Sequence, residues 1–379
     1  MDISTICVHG CEKKFDITGA VAVPIFASAT FAHPGVGQST GFDYSRSLNP
    51  TNVHLEDTVA ALEGGSHAVA FSSGMAAVSA LMELFSPGDH IIASDDLYGG
   101  TFRLFLHISQ KNGVKFSYAA TPKDIEKEIT PSTKAVIIET PSNPMMRVTD
   151  IAVVAAITKK HNAFLIVDNT FLTPYFQKPF SLGADVVLHS GTKYLGGHND
   201  TLAGLLVVKD PGLAEKLRFI AKTTGGCLSP FDSFLIIRGI KTLAIRMERQ
   251  QETALKIAHW LLQQRAVKKV YYPGLTDHPD YEISRRQASG FGGMLSFSVK
   301  SGQTAAKILE AVKIIKYAES LGGVESLITY PVLQTHADIP ESERKARGID
   351  ECLLRLSVGL EAPEDLIADL EQAIGDIII

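Results

Sequence analysis

The stretch ADVVLHSGTKY, residues 184–194, is the segment on which the interpretation of the chain depends. Its apolar first half predicts a buried strand, and Lys193 follows that strand beside the hydroxyls of Ser190 and Thr192. An amine at a strand end can form a Schiff base with an aldehyde while the two hydroxyls hold a phosphate. The pattern favours a pyridoxal 5'-phosphate (PLP) site, although a surface lysine after a strand fits this motif equally well.

A second apolar run, FLIVD at 164–168, ends in the carboxylate of Asp168. Ligands of open α/β sheets bind outside the carboxyl ends of the strands, where an aspartate can pair with a protonated pyridine nitrogen. Turn and helix-capping aspartates are also common at such positions. The spacing of Asp168 before Lys193 favours the cofactor role.

Two further segments fit the same cofactor. In SSGMAA, residues 72–77, a small-residue turn leads into an Ala-rich helix whose free first amides can bind a phosphate, with Gly74 permitting close approach. Tyr98 precedes two glycines after another apolar run, and its ring can stack on a flat cofactor. Simple helix capping and a turn tyrosine are the alternatives. Together with Lys193 and Asp168, these segments predict a PLP enzyme.

With these motifs the chain resembles the Cys/Met-metabolism PLP-dependent enzymes, which include cystathionine γ-synthase, cystathionine γ- and β-lyases, methionine γ-lyase and O-acylhomoserine sulfhydrylases. The shared motifs run nearly end to end: YSR at 44–46, ETPSNP at 139–144, SGTKY at 190–194, RGIKTL at 238–243, ESLGG at 319–323 and LRLSVG at 354–359. The resemblance implies the PLP-dependent transferase-like fold of the aspartate aminotransferase type, fold type I.

The resemblance also implies roles for the cofactor residues. Lys193 would carry the cofactor, Asp168 would pair with the pyridinium and Tyr98 would stack on the ring. Four residues would hold the phosphate within the subunit: Gly74, Met75, Ser190 and Thr192. Tyr44 and Arg46 would reach the phosphate of the neighbouring subunit, so each site would need two chains.

The substrate residues implied by the resemblance centre on Arg355, which would bind the α-carboxylate. Asn143 and Ser320 would lie beside it, with Asn143 also close to the cofactor. An arginine inside an apolar strand pattern is costly without an anion, which independently supports this role. Glu319 and Arg103 would shape the pocket for the distal part of the substrate.

The reaction expected from these residues is that of a cystathionine γ-synthase, which joins O-acetyl- or O-succinyl-homoserine to cysteine. Glu319 fits the synthase and γ-lyase pattern. Asn52 and Ser47 replace basic residues found in some relatives, which favours the acetyl ester. A cystathionine γ- or β-lyase and an O-acetylhomoserine sulfhydrylase are the alternatives. The complete set of cofactor residues argues against a non-catalytic regulator.

Composition agrees with a cytoplasmic enzyme of amino-acid substrates. The 379 residues are 45% hydrophobic, enough for two or three domains, and the net charge of −5 argues against nucleic-acid binding. No apolar run has the length of a membrane span, and the first residues do not read as a signal peptide. The four cysteines, at 7, 11, 227 and 352, suggest neither a disulfide framework nor, with His9, a metal site.

Three regions are expected along the chain. Residues 1–55 predict an extended arm that contacts a neighbouring subunit in a homo-oligomer, expected to be a tetramer built as a dimer of dimers. Residues 56–240 predict a PLP-binding domain with a mostly parallel sheet of seven strands, at 68–72, 90–93, 114–118, 135–139, 164–168, 185–189 and 203–208. Residues 241–379 predict a smaller α/β domain, and one long helix is expected over 232–265.

Overall fold

Two β-sheets organise the chain, which a computed structural model describes at residues 1–10, 19–337 and 339–375. The strands of the larger sheet are β1 His67–Phe71, β2 His90–Ser94, β3 Lys115–Ala119, β4 Thr133–Glu139, β5 Phe164–Asp168, β6 Val186–Ser190 and β7 Gly204–Val208. Their order is β1-β7-β6-β5-β4-β2-β3; β7 runs antiparallel to both β1 and β6, and the remaining neighbouring pairs are parallel. The predicted seven-stranded, mostly parallel sheet is confirmed, and each strand lies where it was expected to within two residues.

Ten α-helices accompany this sheet in the described residues: α1 Ile3–His9, α2 Pro50–Glu63, α3 Gly74–Met82, α4 Gly99–Leu104, α5 Pro122–Glu128, α6 Ile151–Lys160, α7 Thr173–Phe176, α8 Pro211–Thr224, α9 Pro230–Ile240 and α10 Leu243–Leu261. A short π-helix at Phe105–Ser109 and a 3-10 helix at Pro179–Leu182 complete this part of the chain. Side-chain caps explain where several of them begin. Asn49, Ser73 and Asp150 accept hydrogen bonds from the first-turn amides of α2, α3 and α6. The cap at Ser73 fixes the helix start that borders the site described below.

The smaller, second part of the chain carries the other sheet. Its elements are β8 Val267–Tyr271, α11 Tyr281–Gln287, β9 Met294–Val299, α12 Gly302–Ala311, β10 Lys316–Tyr317, β11 Leu327–Thr329, α13 Glu341–Ala346, β12 Leu353–Ser357 and α14 Pro363–Gly375. The five strands follow the order β10-β11-β12-β9-β8 and are antiparallel except for the β10–β11 pair. A smaller C-terminal α/β unit was predicted, and its sheet and helices are observed.

Apolar side chains cover both faces of the larger sheet. Along β5, Leu165 and Val167 belong to a core shared with α2 and α6, whereas Ile166 belongs to a core shared with α3 and α8. This alternation is the period of two expected of a strand buried on both faces. The smaller sheet packs with α10, α12 and α14 around a third core. Polar groups at the strand ends are therefore left to face the cavity between the two sheets.

The single long helix predicted over 232–265 is wrong, because α9 and α10 are separated at Lys241 and Thr242. The Arg246 side chain bonds backward to Thr242 Oγ1 at 3.0 Å and to the Gly239 carbonyl at 2.8 Å, which satisfies the end of α9. A Cβ at position 239 would lie 2.0 Å from the Gly196 carbonyl oxygen. Glycine at 239 thus allows α9 to approach the loop that follows Lys193.

The arm predicted over 1–55 is only partly extended. Helix α1 packs against α2 and α10 of its own chain, and α2 already begins at Pro50. Residues 19–49 are mostly irregular, as expected. Cys11 lies outside the described residues. The domain boundaries at 55 and 240 and the oligomeric state stay predictions.

No helix within the three described ranges is both long and apolar enough to cross a membrane.

A partly buried ion pair connects α2 and α8 to the edge strand β1. The Arg218 guanidinium donates to both carboxylate oxygens of Glu56, at 2.8 and 2.7 Å, and to the Ala68 carbonyl at 3.0 Å. Glu56 also accepts the Ala70 amide at 2.8 Å. This cluster therefore gives hydrogen-bond partners to four groups from three elements: the Glu56 carboxylate, the Arg218 guanidinium, the Ala68 carbonyl and the Ala70 amide.

Replacing Glu56 by alanine is expected to destabilise the fold by about 2–3 kcal/mol, because Arg218 and the Ala70 amide lose their acceptor while part of the guanidinium stays hydrated. The measurement is the thermal unfolding midpoint. Glu341→Ala is the matched control, since it breaks an exposed ion pair with Lys345. Similar midpoints for the two variants would contradict a structural role for the Glu56 pair.

Candidate active site

A cavity of about 310 Å³ lies at the carboxyl ends of β4, β5 and β6 and is closed on one side by residues of the smaller sheet. Ligands of open α/β sheets bind at this edge. Most of the residues predicted for the site line it together: Gly74, Met75, Tyr98, Asn143, Asp168, Ser190, Thr192, Lys193, Glu319, Ser320 and Arg355. The topology thus joins segments that are far apart in the sequence.

Lys193 lies just after β6, with its Nζ donating to Ser320 Oγ at 2.7 Å. Burial lowers the pKa of the Lys193 amine to about 8; the Arg355 charge adds to this shift and the Glu319 carboxylate opposes it. An amine with this pKa has a reactive, neutral fraction near neutral pH. Lys193 is therefore suited to attack an aldehyde and to exchange a proton with a substrate.

Asp168 ends β5, and hydrogen bonds from Thr170 hold its carboxylate. Its Oδ1 accepts the Thr170 amide at 3.0 Å and the Thr170 hydroxyl at 2.5 Å, and that hydroxyl in turn accepts the Ser190 amide at 2.9 Å. Burial raises the pKa of Asp168, while the Thr170 hydrogen bonds and nearby His189 oppose the rise. A carboxylate held this way can pair with a cationic ring nitrogen.

Glu139 is a second carboxyl group in the cavity wall, and sequence reasoning gave it no role. It lies opposite Asp168 in the β4–β5 register, and its Oε2 accepts the Tyr98 amide at 2.9 Å. Burial raises its pKa well above the ordinary value, with Asp168 adding to the shift. Glu139 was visible in the ETPSNP motif, but its position beside Asp168 follows from the strand register.

Arg355, on β12, is 1% exposed and is surrounded by neutral acceptors. Its guanidinium donates to Asn143 Oδ1 at 2.9 Å, the Ser320 carbonyl at 2.8 Å and Thr329 Oγ1 at 3.0 Å. Its Nε has no hydrogen-bond partner within the described chain. Burial lowers its pKa to about 10, so the group is charged at neutral pH. An enclosed cation with an unused donor fits an anionic ligand.

His336 is a second residue that sequence reasoning missed. It is 1% exposed, and its ring joins the Asn143 carbonyl at 3.0 Å to the Thr335 hydroxyl at 2.8 Å. Burial and the Arg355 charge lower the pKa of His336 to about 3, so the ring is neutral and its Nε2 donates to the carbonyl. The imidazole thereby holds the backbone of Asn143, whose side chain accepts a hydrogen bond from Arg355. No motif in the sequence singles out this histidine.

The start of α3 tests whether a phosphate fits. The Ser73 hydroxyl accepts the Ala76 amide, while Gly74 and Met75 line the cavity with first-turn amides that no helix bond uses. A Cβ at Gly74 would lie 3.1 Å from Ser190 Cβ, so glycine allows the helix start to approach the Ser190 hydroxyl. Amides, hydroxyls and the Lys193 amine together fit PLP.

Three of the predicted site residues do not line the cavity: Tyr44, Arg46 and Arg103. Arg46 donates to the Lys222 carbonyl at 2.6 Å and its guanidinium lies 5.4 Å from the centre of the Tyr44 ring. Their action on a neighbouring subunit stays a prediction. Arg103 lies on α4, outside the cavity lining, and its part in substrate binding also stays a prediction.

Asn52, which replaces a basic residue found in relatives, has a structural environment. It is buried, its Nδ2 donates to the Leu228 carbonyl at 2.7 Å and its Oδ1 accepts the Ser233 hydroxyl at 3.0 Å. The amide thus fastens α2 to α9. Asn52 is not among the residues that line the cavity.

Residues 4–375 match the family described as Cys/Met metabolism PLP-dependent enzyme, and the chain belongs to that family. The predicted family, its PLP cofactor and the class of PLP-dependent trans-sulfuration enzymes are thereby confirmed.

Curated relatives carry several activities. A cystathionine γ-synthase of Haemophilus influenzae is 51% identical over 379 residues, covering 99% of this chain and 98% of the relative. A cystathionine γ-lyase of Bacillus subtilis is 48% identical over 379 residues, covering both chains fully. A cystathionine β-lyase of Lactococcus lactis is 48% identical over 374 residues, covering 98% of each.

Solved structures agree with the fold type I prediction. The cystathionine γ-lyase from Lactobacillus plantarum, complexed with L-serine, has a TM-score of 0.98 and 45% identity, with both chains fully covered. The cystathionine γ-synthase from Xanthomonas oryzae, in complex with aminoacrylate and cysteine, has a TM-score of 0.96 and 41% identity over 99% of this chain and 98% of that one.

The pKa of Lys193 leads to a pH prediction. Because only the neutral amine attacks the PLP aldehyde, and an amine loses its proton above its pKa, the rate of PLP uptake by the apoenzyme should rise with pH and level off above about pH 8. Stopped-flow absorbance of the lysine-bound cofactor measures this rate.

Two variants sharpen this measurement. Lys193→Ala should give no lysine-bound absorbance at any pH, whereas Lys216→Ala, an exposed lysine on α8, should behave as the wild type. A wild-type rate that keeps rising towards pH 10 would show that burial does not depress the pKa of this amine.

Proposed function

We propose that this chain is a cystathionine γ-synthase that joins an O-acyl-homoserine, preferably O-acetyl-homoserine, to cysteine. The observation that carries the proposal is the arrangement of Arg355, Lys193 and Glu319 around one cavity, with one anchoring cation, one proton-transfer amine and one carboxylate. The full-length relationship to a γ-synthase supports it.

Bound PLP supplies an electron sink for the substrate Cα. Tyr98 would stack on its ring, and Asp168 would pair with its ring nitrogen. The Thr170 amide and hydroxyl keep Asp168 oriented. The amides of Gly74 and Met75 and the hydroxyls of Ser190 and Thr192 would hold the phosphate.

Lys193 moves protons at the substrate carbons. Its lowered pKa allows the neutral amine to accept the Cα proton, to release that proton, and only then to accept a proton from Cβ, which γ-replacement requires. Ser320 Oγ, 2.7 Å from Nζ, holds the amine near this path. The Cγ–O bond breaks and the acyl group leaves as a carboxylate, the thiolate sulfur of cysteine forms the new Cγ–S bond, and Lys193 returns a proton to Cβ and then to Cα.

Arg355 orients the amino-acid part of the substrate. Its guanidinium binds the α-carboxylate through charge-assisted hydrogen bonds, and Asn143, Thr329 and the Ser320 carbonyl keep the guanidinium in place. Because these partners are neutral, the full positive charge remains available to the substrate.

Glu319 favours a cationic group in the distal part of the cavity, such as the ammonium of cysteine. Lys193 and Arg355 are the two cationic side chains among the described residues that line the cavity, and both already have roles near Cα. A distal succinyl carboxylate would face Glu319 without a cation from the lining. The acetyl ester is therefore the preferred substrate.

A cystathionine lyase is the second candidate, because the same Glu319 can bind the distal ammonium of cystathionine. The full-length relationships to a γ-lyase and a β-lyase support this alternative. A lyase needs no second substrate, so the two activities differ in products.

The deciding experiment is a product assay. With O-acetyl-homoserine and cysteine, the wild type should form cystathionine faster than it releases 2-oxobutyrate. With cystathionine alone it should release 2-oxobutyrate and pyruvate slowly. The proposal fails if no acyl-homoserine yields cystathionine while cystathionine is cleaved rapidly, and the lyase then takes its place.

Glu319→Gln is expected to raise the KM for cysteine about ten-fold or more, because a charge-assisted hydrogen bond becomes a neutral one in an enclosed site. Steady-state kinetics with O-acetyl-homoserine held saturating measure this change. Glu325→Gln is the matched control, since its carboxylate accepts a hydrogen bond from Asn199 outside the cavity lining. An unchanged KM in the Glu319 variant would exclude contact with the incoming amino acid.

A further inference from the structure

Two carboxyl groups face the same cavity from adjacent strands. Glu139 ends β4 and Asp168 ends β5, and the parallel register places them opposite one another. Residues paired in register on neighbouring strands point to the same face of the sheet. Both side chains line the cavity. Two like charges this close are costly in an enclosed site, so a single ionised carboxylate is favoured.

The surroundings of the two groups are unequal. Asp168 accepts two hydrogen bonds from Thr170 and lies near His189, and these contacts favour its charged form. Among the described residues the Glu139 carboxyl group accepts one hydrogen bond, from the Tyr98 amide, and it shares with Asp168 a small apolar space lined by Val78 and Leu97. The environment therefore assigns the negative charge to Asp168 and the proton to Glu139.

The other charged groups near Glu139 do not reverse this assignment. Arg355 lowers its pKa, but Asp96, which lies behind the strand ends, raises it, as does Asp168. Asp96 is itself engaged by Ser142 and Arg147. Burial is the largest influence on Glu139, and its net effect is a pKa well above the ordinary value.

Glu139 also fixes the segment that carries Tyr98. Tyr98 begins α4 without a side-chain cap, and Glu139 Oε2 accepts its amide at 2.9 Å. On the far side, a Cβ at Gly99 would lie 2.2 Å from the Thr335 carbonyl oxygen, and a Cβ at Gly100 would lie 2.5 Å from the Tyr98 ring. The ring position thus depends on two glycines and one carboxyl group.

We propose that Glu139 is a positioning residue that works as a neutral carboxylic acid. It holds the Tyr98 backbone in place for stacking on the cofactor, and its neutrality leaves Asp168 as the single negative charge beside the ring nitrogen. This role does not depend on whether the enzyme synthesises or cleaves cystathionine.

Two substitutions at Glu139 separate the effect of its missing charge from the effect of its hydrogen bond to the Tyr98 amide. Glu139→Gln keeps an acceptor for the Tyr98 amide and has no charge, so kcat and KM should stay within about three-fold of the wild type. Loss of the hydrogen bond itself would change these constants by up to about ten-fold. Glu139→Leu removes the acceptor. It should change the visible circular dichroism of bound PLP, because the ring above the cofactor shifts, and should weaken PLP binding up to about ten-fold.

The pH dependence of holoenzyme stability gives a readout independent of activity. A group whose folded-state pKa is raised stabilises the protein at low pH, and this contribution is lost as pH rises through the folded-state value. The wild type should therefore lose stability relative to Glu139→Gln as pH rises above the ordinary glutamate pKa of 4.5. The melting temperature of the glutamine variant minus that of the wild type should grow between pH 5 and pH 8.

Glu215→Gln, at an exposed position on α8, is the control and should show a flat difference over this range. The proposal is overturned if the Glu139→Gln difference is flat or falls with pH, or if this isosteric variant loses activity as severely as Asp168→Asn. If Glu139→Leu does not fold, the glutamine comparison decides alone.

Discussion

The register of β4, β5 and β6 is the constraint from which the rest of the site follows. Because parallel strands end at one edge, Glu139, Asp168 and Ser190 meet there although many residues separate them in sequence. The strand interiors are apolar on both faces, so a one-residue slip would bury these polar ends and expose core side chains. Packing of the hydrophobic layers therefore determines which carboxyl groups face the cofactor, and by how much burial shifts their pKa values.

Charge is divided between the two sheets in a way that suits an amino-acid substrate. The larger sheet contributes carboxyl groups and the Lys193 amine, whose pKa is lowered to about 8, whereas β12 contributes Arg355, which is charged at neutral pH. The hydrogen-bond acceptors of the guanidinium are neutral, and one of them is Asn143, whose carbonyl is held by the neutral His336 ring. A substrate carboxylate would thus meet a guanidinium that no carboxylate hydrogen-bonds, while the Lys193 amine can lose its proton near neutral pH.

Sequence reasoning located the seven strands and most of the cavity residues, because apolar runs and motifs at strand ends depend on local chemistry. It failed where the outcome depends on contacts between distant segments. The helix predicted over 232–265 breaks because Arg246 bonds back to Thr242 and Gly239. Glu139 and His336 gained their roles from strand register and from packing between the sheets, which no local pattern contains. The cross-subunit roles of Tyr44 and Arg46 are predictions of the same non-local kind.

Arg355 stands on the smaller sheet and Lys193 follows a strand of the larger sheet. This division separates cofactor binding from substrate binding. Most of the groups predicted to hold the cofactor stand on the larger sheet, whereas the group predicted to hold the substrate carboxylate stands on the smaller one. Mild denaturant or heat that loosens the smaller sheet first would leave a yellow protein that still carries its cofactor but no longer binds amino acids. Colour alone would then overstate the amount of active enzyme in an aged preparation, and substrate titration would be the better measure of intact protein.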